Sequence, residues 1–251
     1  MNSFISWIGG KKLLRKQIIE QFPDDYERYV EVFGGAGWVL FGKEQKGMEV
    51  YNDVNGELVN LFRCVKYHPE ALQKELDGIL MSRELFFDAV AERRGMTDIQ
   101  RAARRFIVIK ESFGSSLDSF GVRPKNMKKA VDFLQVASGR LTTVVIENLD
   151  FEHLIKTYDR PGTLFYLDPP YYDAEKYYPD RFMPADHERL RDTLGRIKGK
   201  FILSYNDCEA IREMYQGYHI LPVERQNNLT AKGGSGRYKE LLIQNYKKEV
   251  V

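Results

Sequence analysis

The strongest constraint on this chain is the run Leu164-Phe165-Tyr166-Leu167-Asp168-Pro169-Pro170-Tyr171-Tyr172. An apolar stretch of strand length stops at an acid, two prolines and two aromatics. Proline lacks a backbone donor and fixes φ, so a sheet ladder cannot continue past Asp168. A fully apolar strand fits the interior of an α/β sheet covered on both faces. The acid is then delivered to the carboxyl edge of that strand, where open α/β folds place their chemistry. Rigid carbonyls and an aromatic face lie beside it. Such a set suits a flat, amine-bearing ring.

The N-terminal part supplies a second piece of the same architecture. Tyr29-Val30-Glu31-Val32-Phe33 reads as a buried strand and Gly34-Gly35-Ala36-Gly37 as a turn. Val39 to Lys43 reads as a helix, and Met48 to Tyr51 as a second strand closing on Asn52-Asp53. Strand, glycine turn, helix, strand, acid is the start of a nucleotide-binding unit. The glycines lack both the G-x-G-x-x-G spacing and the Lys-Ser/Thr of a phosphate loop. Alone, the run is equally well a tight turn. Asp53 adds weight, because an acid at the end of the second strand can bind the two hydroxyls of a ribose. An adenosine cofactor without phosphates needs that acid and no phosphate cradle; S-adenosylmethionine is such a cofactor.

The alternation then breaks. Asn55 to His68, Pro69 to Leu80, Ser82 to Arg94 and Thr97 to Phe113 have helical periodicity, with Thr97-Asp98 as a cap. A turn-rich loop runs from Ser112 to Gly121, and Met127 to Ser138 reads as a further helix. Strands return at Thr143 to Ile146, Thr163 to Leu167 and Lys200 to Ser204. Helices are read at His187 to Ile197 and Cys208 to Tyr215. A closing antiparallel pair is read at Tyr218 to Glu224 and Glu240 to Gln244, joined by a mobile connection at Ala231 to Gly236. The sheet is thus interrupted by a helical block over about 55 to 142. Charge marks part of the same block: Met81 to Ala130 holds 11 Lys and Arg against 6 Asp and Glu, a balance of +5. The remainder carries −3 of the total +2. Such asymmetry points either to a polyanion held by one part of the molecule or to a solvated helical face.

Composition excludes other classes. Of 251 residues, 43% are hydrophobic and 29% charged, the balance of a globular chain with one large domain or a domain and an insertion. No apolar run reaches membrane-span length, and Met1 to Trp7 has no basic leader, so no signal peptide is expected. Two isolated cysteines and four scattered histidines give neither a disulfide framework nor metal-ligand spacing, which fits a reducing cytoplasm.

Taken together, the elements resemble the Dam-type, or D12-class, adenine-specific DNA methyltransferases, a family with many phage-encoded members. The match runs through the whole chain in order: Trp7-Ile8-Gly9-Gly10-Lys11, Glu31 to Gly37, Tyr51-Asn52-Asp53, Asn148-Leu149-Asp150-Phe151, Asp168-Pro169-Pro170-Tyr171, Phe201 to Asn206 and Glu240 to Ile243. The resemblance implies a Rossmann-like α/β fold, with a mixed sheet and helices on both faces. It implies a catalytic part at 1–54 and 143–251 and an inserted, mainly helical target-recognition domain at 55–142. Trp7, Lys11, Asp53 and Asp168 match positions that contact S-adenosylmethionine. Glu31, Phe33, Gly34, Gly35 and Gly37 belong to the glycine-rich part of that site, and Asp150 and Phe151 match residues that hold the cofactor's adenine. Asp168, Pro169, Pro170 and Tyr171 form the catalytic element.

The reaction expected is transfer of a methyl group to the N6 amine of an adenine flipped out of double-stranded DNA. No metal and no membrane enter it. A cognate restriction endonuclease is a candidate partner, and a monomer or weak dimer is expected. Arg123, Lys125, Lys128 and Lys129 are candidates for DNA contact, each also readable as a solvated charge. Tyr177 and Tyr178 are candidates for lining the base pocket. Rival readings are methylation of cytosine N4 or of RNA, or a DNA-binding module with little activity. Cytosine enzymes more often carry serine at the position of Asp168. The best-known members have a longer insertion with a recognition hairpin that does not align onto Arg104 to Arg123, so no target sequence follows.

Overall fold

A computed structural model describes residues 1–91, 93–114, 116–122, 125–173, 182–226 and 237–248. In chain order the described elements are α1 (Arg15–Glu20), β1 (Arg28–Glu31), α2 (Trp38–Gly42), β2 (Met48–Asn52), α3 (Gly56–Tyr67), α4 (Pro69–Leu76), α5 (Arg83–Val90), α6 (Asp98–Glu111) and α7 (Met127–Leu141). They continue with β3 (Val144–Glu147), α8 (Phe151–Tyr158), β4 (Thr163–Leu167), α9 (Pro184–Leu194), β5 (Lys200–Asn206), α10 (Glu209–Met214), β6 (His219–Gln226) and β7 (Arg237–Gln244). Arg123, Tyr177, Tyr178 and the connection at 231–236 lie outside the described residues.

One seven-stranded sheet has the order β3-β2-β1-β4-β5-β7-β6. β1 to β5 run parallel, while β7 slots in antiparallel between β5 and β6. This is the mixed sheet of a methyltransferase-type α/β fold. The run that stops at the prolines forms β4, and all five of its residues are buried. From β1 the sheet runs through β2 to β3 on one side and restarts with β4 on the other, and a crevice forms at such a reversal. Register decides what stands there. Glu31 is level with Tyr51 of β2 and Tyr166 of β4. Asp53 and Asp168 each follow two residues later, so the two acids emerge at equal height on either side of the glycine turn.

The helices between β2 and β3 form because their caps and apolar stripes agree. Asn55 caps α3, its side chain accepting from the Leu58 N–H, and Thr97 closes a capping box with Gln100 at α6. Leu58, Leu61, Phe62 and Val65 make the buried stripe of α3. Phe62 stacks on Tyr51 of β2 with centroids 3.9 Å apart. Through such contacts Phe106 and Leu134 of the helical block join one apolar cluster with Tyr51 and Val39 of the sheet layer. Arg140 ties the block down electrically. It reaches both oxygens of buried Glu49, at 2.6 and 2.9 Å, and the Leu40 carbonyl at 2.8 Å. Lys43 shares the same carboxylate.

Several helices end earlier than periodicity predicts. α4 stops at Leu76 rather than Leu80, before Gly78 at φ +74°, and α5 stops at Val90 rather than Arg94, before Gly95 at φ +75°. The backbone turns extended at Asp77 after α4, just ahead of the left-handed Gly78, and at Ala91 after α5. The antiparallel closing pair is as expected, but its later strand lies inside the sheet and its earlier strand forms the edge.

Candidate active site

The glycine turn is built by close approach. Gly35 and Gly37 have φ of +49° and +67°, a region that costs side-chain-bearing residues. Gly34 is tighter still: a Cβ there would lie 2.2 Å from the Tyr51 ring and 2.7 Å from the Asn52 carbonyl. Its N–H donates to that carbonyl at 2.7 Å. Asp53 then holds the turn open, its carboxylate accepting from the N–H of Gly35 at 2.8 Å and of Asn55 at 2.9 Å. Asn52 stitches the neighbouring strand ends, donating to the carbonyls of Val32 (2.8 Å) and Leu149 (3.1 Å) and accepting from the Leu149 N–H (2.8 Å).

A cleft opens over this turn. Trp7, Lys11, Glu31, Phe33, Gly34, Gly35, Asp53, Asp168 and Pro170 line it, together with Trp38, Tyr166 and Phe182. Glu31 is buried, and its Oε2 accepts from the Tyr29 hydroxyl and the Leu40 N–H, both at 2.7 Å. Burial is the main cause that pushes its carboxyl up to about 8, so the group is mostly neutral at pH 7. The hydroxyl of Tyr166 is buried in the cleft wall and has no hydrogen-bond partner among the described residues.

Lys11 occupies the centre. Its ammonium donates to Asp168 Oδ1 at 2.6 Å and to the Gly9 carbonyl at 3.1 Å. It lies 3.7 Å from Glu240 Oε2 and 4.8 Å from the centroid of the Tyr171 ring. Pro169 is buried and Pro170 half-buried behind the acid. Asn206 of β5 brackets the next residue, accepting from the Tyr172 N–H at 3.1 Å and donating to its carbonyl at 3.3 Å. These bonds fix the loop that carries Tyr171.

Asp150 and Phe151 stand in an adjoining cleft that shares Phe33, Val54 and Phe182 with the first. Asp150 caps α8, accepting from the Glu152 N–H at 3.0 Å. Arg189 of α9 grips its two oxygens, each at 2.8 Å, and covers the Phe151 ring at 4.0 Å. That guanidinium is the main cause holding the Asp150 carboxyl below its usual range. Sequence reading did not single out Arg189, Tyr166 or Glu240. Nor did it single out Arg105 of α6, whose guanidinium lies 5.1 Å from the Trp7 ring and joins the basic block to the cleft.

The basic candidates divide. Lys128 and Lys129 are exposed on the first turns of α7, Lys128 lying 3.5 Å from Asp132. The Lys125 ammonium turns back to the carboxyl end of α6, donating to the Lys110 and Ser112 carbonyls. It fastens the base of the loop.

Three carboxyl groups, one lysine and a glycine turn with no room for a Cβ at Gly34 fit a phosphate-free, cationic adenosyl group. They do not fit a dinucleotide, whose phosphates need donors rather than acids. Comparison with known proteins agrees. The family described as D12 class N6 adenine-specific DNA methyltransferase matches residues 7–229. A Type II methyltransferase, M1.LlaDCHI of Lactococcus lactis subsp. cremoris, is 30% identical over 98% of this chain and 96% of its own length. The Type II methyltransferase M.CviBI of Paramecium bursaria Chlorella virus NC1A is 25% identical over 98% of this chain and 100% of its own. A DNA adenine methylase of Haemophilus influenzae is 25% identical over 90% of this chain and 87% of its own.

Proposed function

Because the chain belongs to the D12 class of N6 adenine-specific DNA methyltransferases, we propose that the Asp168 cleft is where it methylates an adenine of double-stranded DNA. The observation that carries this reading is the pairing of two acids at one height: Asp53 on one side of the glycine turn and Asp168 on the other. S-adenosylmethionine, when bound, supplies a methyl group activated by a cationic sulfonium. Trp7, Lys11, Glu31, Phe33, Gly34, Gly35, Gly37 and Asp53 would hold it, with Asp150 and Phe151 at its adenine. The Asp53 carboxylate, which accepts from the Gly35 and Asn55 N–H groups, is the chemical type of acceptor that ribose hydroxyls need.

An adenine amine is a weak nucleophile because its lone pair is delocalised into the ring. The chain's task is therefore to orient the nitrogen and to stabilise the positive charge that grows on it. Asp168 accepts one N–H, the Pro169 carbonyl accepts the other, and the Tyr171 ring stacks on the base. These groups cannot reach an amine inside a duplex, so the base is flipped out. Lys128 and Lys129 reach phosphates, and the helical block at 55–142 serves as the target-recognition part. The site of action is the cytoplasm, where the DNA is, and a cognate restriction endonuclease remains a partner to be sought.

The test is expression in a methylation-free host followed by mapping of modified bases. N6-methyladenine at one short sequence is expected, and Asp168→Ala should abolish it while DNA binding stays within a few-fold. Methylated cytosine, or methylation undiminished in the variant, overturns the reading.

A further inference from the structure

We propose that Glu240 is a positioning residue: it takes the Lys11 ammonium from Asp168, leaving Asp168 free to receive the target amine. The inference rests on the reading of Asp168 as the amine's acceptor. Glu240 stands on β7, opposite Asn206 in the antiparallel pairing with β5, and is only 1% exposed. Lys11 is 4% exposed. One ammonium thus serves two carboxylates away from bulk water, at 2.6 Å from Asp168 and 3.7 Å from Glu240.

An acceptor that already neutralises a cation is a poor acceptor. The bond to Lys11 draws charge from Asp168 at the moment when positive charge must be stabilised on the incoming nitrogen. The lysine stem has rotatable bonds, and closing the gap to Glu240 needs a shift of only about 1 Å to reach ordinary hydrogen-bond distance. The Gly9 carbonyl and the Tyr171 ring stay near the ammonium throughout such a swing.

The experiment uses the full chain and duplexes carrying its mapped site. Two quantities are measured: the single-turnover rate of methyl transfer, and, with no methyl donor present, the affinity ratio for duplexes with adenine or with purine at the target. Purine lacks the amine that Asp168 would receive. For Glu240→Gln the rate should fall about tenfold or more, the loss of one charge-assisted hydrogen bond. The adenine-over-purine ratio should fall toward one while purine-duplex affinity stays within twofold. In a Lys11→Met background the same change should have no further effect on the rate, because no ammonium is left to move. Glu240→Asp keeps the charge on a shorter stem and should give an intermediate rate; it decides the matter if the glutamine variant does not fold. A wild-type rate and ratio in either folded variant overturns the inference. If Asp168→Asn is inactive in the same assay, that failure leaves the Asp168 reading standing. A wild-type rate in Asp168→Asn overturns both.

Discussion

Replacing Asp53 should do two separable things, and the structure says how large each is. Its oxygens accept from the Gly35 and Asn55 N–H groups at 2.8 and 2.9 Å, and the residue is 9% exposed. A hydrogen bond to a charged group contributes about 1.5–3 kcal/mol. Partial access of water to the alanine variant favours the lower end, so Asp53→Ala should lose about 3 kcal/mol of folding stability. At roughly 2–4 °C per kcal/mol for a chain of this size, the thermal midpoint drops about 6–12 °C. Asp53→Asn is the sharper probe. One of its two terminal atoms becomes a donor and must face an N–H donor, so it should lose about half as much. Binding is read separately, by calorimetry with S-adenosylhomocysteine at a temperature where each variant is folded. Loss of a charged acceptor for two hydroxyls should weaken affinity about a hundredfold in the alanine variant. An affinity within twofold of wild type removes the ribose role. An unchanged midpoint in both variants removes the role in holding the glycine turn.

Glu31 gives a pH signature. Its carboxyl is raised to about 8 when folded, against 4.5 in the free side chain, chiefly by burial. The stability it contributes is therefore full below about pH 4.5 and is lost as pH rises through 8, at most ~1.4 kcal/mol per unit. Glu31→Gln keeps an acceptor for Tyr29 and Leu40 without the titration. Urea unfolding from pH 5 to 8 should thus show the variant gaining on wild type as pH rises; parallel curves would refute the neutral carboxyl. For DNA, replacing Lys128 and Lys129 together with alanine should lower the slope of log affinity against log salt by about 1 to 2. Lys125→Ala should instead lower the thermal midpoint through the loop base it fastens, and an equal slope change from Lys125 alone would reverse this division.

Much of the centre was legible because local chemistry determines it. Pro169 and Pro170 end β4 wherever the chain is, and Gly34 to Gly37 end β1. The acids directly after β2 and β4, Asp53 and Asp168, follow from period and punctuation alone. The helix α8 has a local signal as well, with Asp150 as a cap and Phe151, Leu154 and Ile155 on one face, but its eight residues are too few for periodicity alone to mark it. Other residues had no local signal. Glu240 looks like the polar end of an apolar strand, and only its pairing beside β5 brings it to Lys11. Arg189 and Arg105 look like any charge on an amphipathic helix until α9 meets α8 and α6 meets Trp7. Lys125 carries the reverse lesson: a cation in a basic stretch, it satisfies backbone carbonyls of its own loop.

The place of β7 also makes the surroundings of Lys11 depend on one strand register. β7 lies between β5 and β6 rather than at an edge, and Glu240 to Gln244 pair on both sides. Side chains alternate between the two faces of a sheet, so a slip of β7 by one residue would carry Glu240 to the opposite face. Lys11 would then lose the carboxylate that now lies 3.7 Å from its ammonium. Two flanking ladders, rather than any contact in the cleft itself, keep that acid where it stands.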